Sequence, residues 1–171
     1  MTHILFVCSA NVDRSPTAEH MYQNHPQLEV KSAGIHWYAT RKVDENLLQW
    51  ADVILCMEEF QKQIIMRDFT SVVAGKIIDY LDVYDDYERM SPELRDAIKE
   101  QMDAWLRENL NNRAMRYLES GNPDEAEKLW EIALDIDPDN AICRYNYGQT
   151  EAISQALAKA KESPPAGNKK P

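Results

Sequence analysis

The chain has 171 residues, 44% hydrophobic and 28% charged, with a formal net charge of −10. That length accommodates one ordinary domain, or a small domain with an appendage, and the composition is that of a globular protein. The acidic balance speaks against a nucleic-acid partner, because phosphate backbones attract basic surfaces, and no apolar run approaches the ~20 residues that cross a bilayer.

The opening Met1-Thr2-His3-Ile4-Leu5-Phe6-Val7-Cys8 has neither a basic n-region nor a small-residue cleavage site, so it reads as a strand rather than a signal peptide. Residues 4–7 form a continuous apolar run, the pattern of a strand buried on both faces of a parallel sheet. A helical stretch follows over 15–24 and ends near Pro26. Residues 28–33 give a weaker strand, closed by Gly34, and 43–50 a helix. Residues 52–57, centred on Val53-Ile54-Leu55, predict a second buried strand, 58–68 a helix and 76–81 a fourth strand. Strands interleaved with helices imply right-handed crossovers, hence an α/β fold with a four-stranded parallel sheet flanked by helices over residues 1–104.

The pattern changes at Ser91-Pro92-Glu93, with Ser as N-cap and Pro in the first helical turn. From there to about Lys161 only helical periodicity is found, broken at Gly121-Asn122-Pro123 and Asp137-Pro138-Asp139-Asn140. Residues 105–160 are therefore an all-α appendage. Residues 161–171, rich in Pro and Gly and without apolar anchors, are expected to be disordered.

The sharpest signal is Val7-Cys8-Ser9-Ala10-Asn11-Val12-Asp13-Arg14-Ser15-Pro16, lying where a buried strand gives way to a helix. There the backbone N–H groups of Ser9, Ala10, Asn11, Val12, Asp13, Arg14 and Ser15, with the helix N-terminus, make a concave anion site. Five residues between Cys8 and Arg14 let thiol and guanidinium face one oxyanion, and the guanidinium fork matches two phosphoryl oxygens. Such surroundings favour thiolate, the nucleophilic form. Ser9 and Ala10 are small enough to leave room for the anion. Asn11 suits unusual backbone angles, and Ser15 is positioned to hydrogen-bond the sulfur. A buried strand-end cysteine beside an ordinary surface arginine is the competing account; the strand–helix setting and Ser15-Pro16 favour the anion site.

Residues 4–19 resemble the opening of the low-molecular-weight protein tyrosine phosphatases. Ser32-Ala33-Gly34 resembles that family's next segment, and residues 51–58 its third strand. The likeness is greatest to a short bacterial branch of predicted protein tyrosine phosphatases, whose ending resembles residues 81–94, so the resemblance spans about residues 1–100. It implies a phosphocysteine enzyme without metal or organic cofactor, acting on a phosphotyrosine protein or a small aryl phosphate. The family carries its general acid just ahead of a Pro-Tyr pair. Aligned on Tyr87, Asp85 takes the acid's place, and Asp86 stands where proline is usual and is the alternative acid. Trp37 and Tyr87 are the implied walls of the substrate slot, stacking on an aryl ring. Asp13 occupies a position where many relatives have a second cysteine, so an in-loop disulfide protecting Cys8 is absent.

Residues 107–140 resemble one tetratricopeptide unit of the usual ~34-residue length. Tyr117 falls late in a first helix, residues 121–125 turn, and Ala126, Trp130 and Ala133 mark a second helix closed by Asp137-Pro138. Arg113 and Ala114 depart from the motif, and residues 141–148 look like the start of a second, unfinished unit. The first helix of the appendage is expected to continue the one begun at Ser91. The unit implies a protein partner or self-association, with a stabilising cap as the equally weighted alternative.

The three cysteines, Cys8, Cys56 and Cys143, are scattered, with neither zinc spacing nor a disulfide framework, which fits a reducing cytoplasm. His3, His20, His25 and His36 lack metal-ligand spacing. The reading is a cytoplasmic protein tyrosine phosphatase with a helical appendage, bound to neither membrane nor nucleic acid. Two rivals are a non-catalytic phosphate-binding scaffold and, less favoured, an arsenate reductase. The latter needs relay thiols, whereas Cys56 falls in a buried strand and Cys143 in the appendage.

Overall fold

The computed structural model describes residues 1–162. The chain divides into two compact units, the first Met1–Trp105 and the second beginning at Leu106. The first opens with β1 (Thr2–Cys8), α1 (Arg14–Tyr22), β2 (Leu28–Gly34) and α2 (Glu45–Trp50). It continues with β3 (Val53–Cys56), α3 (Glu59–Asp68), the single turn α4 (Thr70–Val73), β4 (Ile77–Tyr80) and α5 (Pro92–Ala104). The strands form one parallel sheet in the order β2-β1-β3-β4. The order reverses direction at β1, the point in an open α/β sheet where ligands gather beyond the carboxyl ends of strands.

Central β1 has Ile4, Leu5, Phe6 and Val7 at 0% exposure, as its continuous apolar run requires. Alternation sends Leu5 and Val7 to one face, where they pack with Leu48, Ile54, Cys56, Ile65 and Val73. Ile4 and Phe6 point to the other, and Phe6 stacks on Tyr22 of α1 with centroids 5.8 Å apart. Register aligns the carboxyl ends of all four strands: Cys8 pairs with Gly34, Val7 with Cys56, and Cys56 with Tyr80. Loops leaving those ends therefore converge.

Helix starts follow local chemistry. Asp44 accepts from Leu47 N at 2.8 Å, and Ser91 from Leu94 N at 3.2 Å. Glu58 and Gln61 form a reciprocal capping box at α3. The helix expected over 43–50 starts two residues later, because Lys42 still bridges to Gly34.

The second unit holds α6 (Asn111–Ser120), α7 (Pro123–Ile136), α8 (Ala141–Gly148) and α9 (Thr150–Glu162). Gly121, at φ 86°, ends α6: its N–H bonds Leu118 O and the next N–H bonds Tyr117 O, both at 2.9 Å. Trp130 is fully buried, as are Ala114, Leu118, Ala126, Ala133 and Cys143 of the same unit. The buried amide oxygen of Asn111 accepts from Trp130 Nε1 at 3.0 Å and from Asn146 Nδ2 at 2.8 Å. The unfinished-repeat expectation needs amending, since α8 is followed by α9, which packs on α6 and α7. The helix begun at Ser91 does run on into the first helix of the appendage, with π-helical bonding over Trp105–Leu110 between α5 and α6. Lys161 and Glu162, expected in the tail, end α9; the tail beyond them lies outside the described residues.

Candidate active site

The loop from β1 to α1 curls beneath the Cys8 sulfur. Asn11 N donates to Sγ at 3.1 Å and Ser15 Oγ at 3.0 Å, so backbone and hydroxyl donors converge on it, as expected for Ser15. Asn11 holds the left-handed conformation that its residue type suggested, with φ 55°. Its side chain does more than the sequence foretold. Nδ2 donates to Ser15 Oγ at 3.1 Å and Ser32 Oγ at 2.8 Å, while Oδ1 accepts Arg41 N at 3.1 Å.

A second loop, residues 34–41, backs the first. Ile35 N reaches Cys8 O, His36 N reaches Ser9 O, and Thr40 N reaches Ala10 O, each at 3.0 Å. A Cβ on Gly34 would lie 2.7 Å from Ser9 O and 2.8 Å from Asn11 N, so glycine is what allows this approach. Gln61 Nε2 fixes Ser9 Oγ at 3.2 Å.

Arg14 opens α1 one residue earlier than periodicity suggested and is 2% exposed. Its Nη1 donates to Val83 O at 2.8 Å and forms a short ion pair with Glu58 Oε2. Its Nε is the one buried side-chain nitrogen or oxygen among the described residues with no hydrogen-bond partner. Asp85 Oδ1 sits 2.9 Å from that Nε as an ion pair, too far off the N–H direction to accept it. A buried donor without an acceptor is costly, and a bound oxyanion would complete it.

The loop carrying Asp85 is hung from Val83, whose N–H reaches Met57 O and whose carbonyl holds Arg14, both at 2.8 Å. Met90 N reaches Thr17 Oγ1 at 3.1 Å at its far end. Asp82 and Met90 bracket it at φ 58° and 61°, left-handed values costly for ordinary residues. The structure thus brings Cys8, Asn11 and Ser15 together, and Arg14 together with Asp85. Asp86 is exposed and has no hydrogen bond or ion pair among the described residues. Tyr87 is half-buried, and Trp37 is 83% exposed on the backing loop with its ring edge against Tyr38. Asp13 caps α1 through its carbonyl, which accepts from Thr17 N and Thr17 Oγ1; its carboxylate makes no capping bond.

Glu58, Gln61, Ser32 and Val83 were given no role at the site from the sequence, because they lie 21 to 69 positions from the loop residues they contact. The one local trace was a Glu-x-x-Gln pair opening α3.

The other thiols are unlike Cys8 in setting. Burial pushes the Cys56 thiol far above its ordinary value, and burial followed by the Asp137 charge pushes Cys143 up to about 11. Both stay protonated near neutrality, which suits neither to a disulfide relay.

Residues 3–46 match the family described as low molecular weight phosphotyrosine protein phosphatase, and residues 107–140 match the tetratricopeptide repeat. The low molecular weight protein-tyrosine-phosphatase Ptp of Acinetobacter johnsonii is 33% identical over 87 residues, covering 37% of this chain. The chain spans 61% of the length of that relative. The YwlE arginine phosphatase from Geobacillus stearothermophilus aligns at a TM-score of 0.48 and 23% identity, over 59% of this chain and 86% of its own. Wzb of Vibrio vulnificus, solved with benzylphosphonate, aligns at a TM-score of 0.50 and 24% identity, over 61% of this chain and 96% of its own, and shares the fold.

Proposed function

We propose that this chain, which joins the low-molecular-weight phosphatase fold to a tetratricopeptide repeat, hydrolyses phosphotyrosine-like monoesters through a phosphocysteine. The observation carrying the reading is the buried Arg14 Nε–H that lacks an acceptor, on the helix entered from the loop whose Asn11 N and Ser15 Oγ both donate to the Cys8 sulfur.

The Cys8 thiolate attacks phosphorus in line, forming an S–P bond as the P–O bond to the leaving group breaks. Loop amides and Arg14 hold the equatorial oxygens, where transition-state charge resides. Asp85 gives its proton to the departing oxygen. Water then attacks the phosphocysteine and passes a proton to Asp85, and the S–P bond breaks to return thiolate and inorganic phosphate. Ser15, 3.0 Å from Sγ, steadies the departing sulfur. Asp85 is preferred over Asp86 as the acid because it alone reaches Arg14. Trp37 and Tyr87 are assigned to the rim that holds an aryl group, and neither metal nor organic cofactor enters the scheme. The helical unit is assigned to binding a protein or a second copy, and the site of action to the cytoplasm.

Turnover of para-nitrophenyl phosphate tests this reading. Cys8→Ser should abolish it, and Asp85→Asn should lower kcat by about 10²–10⁴-fold, the usual worth of general acid catalysis. A wild type that binds phosphate yet turns nothing over would leave a phosphate-binding scaffold instead, the reading to which Asp13 and the missing proline at Asp86 point.

A further inference from the structure

Beside the loop lies an open cavity of about 300 Å³, lined by Asn11 and Val12 of the loop, Pro16 and Glu19 of α1, and Arg41 and Arg89. That volume is at the small end for ligand sites, roughly 300–1,000 Å³, and suits one side chain better than a whole ligand. The two arginines come from different segments, Arg41 from the backing loop and Arg89 from the Asp85 loop, and meet at one cavity. Arg41 is already engaged, its Nη1 3.3 Å from Ser32 O and 3.6 Å from Glu19 Oε1. Arg89 is exposed and has no hydrogen bond or ion pair among the described residues. Asp85, Asp86 and Glu88 precede it on the same loop, in a chain of net charge −10, yet it is left unpaired facing the cavity.

We infer that this cavity is a specificity subsite, which accepts an Asp or Glu side chain flanking the phosphotyrosine of a peptide substrate and pairs it with Arg89. The inference rests on the phosphatase reading above. Val12, 47% exposed, and Pro16 give the substrate's methylenes an apolar seat, while Glu19 offsets Arg41 and leaves Arg89 as the uncompensated charge. The preferred substrates are therefore acidic phosphotyrosine segments, even though the chain as a whole repels anions.

The test compares kcat/KM for phosphotyrosine peptides bearing Glu or Gln on either side of the phosphotyrosine, with para-nitrophenyl phosphate as reference. A partly exposed ion pair supports a preference of roughly threefold for Glu at low ionic strength, shrinking as salt screens it. Arg89→Ala should erase the Glu-to-Gln ratio, and Arg89→Glu should invert it. An unchanged ratio in Arg89→Glu, with para-nitrophenyl phosphate still hydrolysed, overturns the subsite alone. Absence of para-nitrophenyl phosphate turnover by the wild type overturns the phosphatase reading, and the subsite falls with it.

Discussion

Asn11 combines a backbone angle that costs most residues about 1–2 kcal/mol with an amide that ties Ser15, Ser32 and Arg41 into one network. The hydroxyl it holds is the one that donates to Cys8. Ser15→Ala should therefore slow hydrolysis of the phosphocysteine by about 10–100-fold, the worth of a hydrogen bond to a charged group. Rapid-quench trapping would show the phosphorylated intermediate accumulating, and an intermediate no more abundant than in the wild type would refute the role. Cys8, Arg14 and Asn11 were legible because the spacing between thiol and guanidinium and the tolerance of Asn for left-handed backbone are local properties. The Glu58 and Val83 contacts to Arg14 were not, since folding alone brings positions 44 and 69 residues apart together.

At the scale of elements, the loop is held by what stands behind it. Gly34 ends β2 where a side chain would meet the Ser9 carbonyl and the Asn11 amide. Gly34→Ala should push the loop backbone, lower stability by about 1–3 kcal/mol and weaken phosphate binding at least tenfold, read by denaturation and by titration. The helical unit makes its own pH prediction. Cys143 is raised from 9.0 to about 11, so its contribution is intact below 9.0 and is lost as pH rises through 11, where the unfolded chain has already ionised. Denaturation at stepped pH should show the wild type losing stability relative to Cys143→Ala across that window. The strands and longer helices were legible from periodicity. The π-helical Trp105–Leu110 segment and the break before α9 were not, because apolar spacing stays helical through both.

At the scale of the molecule, the residues proposed for chemistry all fall in the unit Met1–Trp105, and Trp130 anchors the other. Trp130→Ala should cost about 3–5 kcal/mol in the helical unit, seen as lost helical ellipticity at lower denaturant. Turnover of para-nitrophenyl phosphate should stay within twofold. Periodicity along the sequence announced a mixed chain, strands interleaved with helices first and helices alone after.

Asp85 stands 2.9 Å from the very nitrogen that an oxyanion would complete. On the proposed phosphatase reading, that carboxylate competes with an incoming phosphate ester for the Arg14 guanidinium. On the same reading, such competition disfavours tight capture of inorganic phosphate. The residue assigned to protonating the leaving group thereby also helps empty the site for the next turnover.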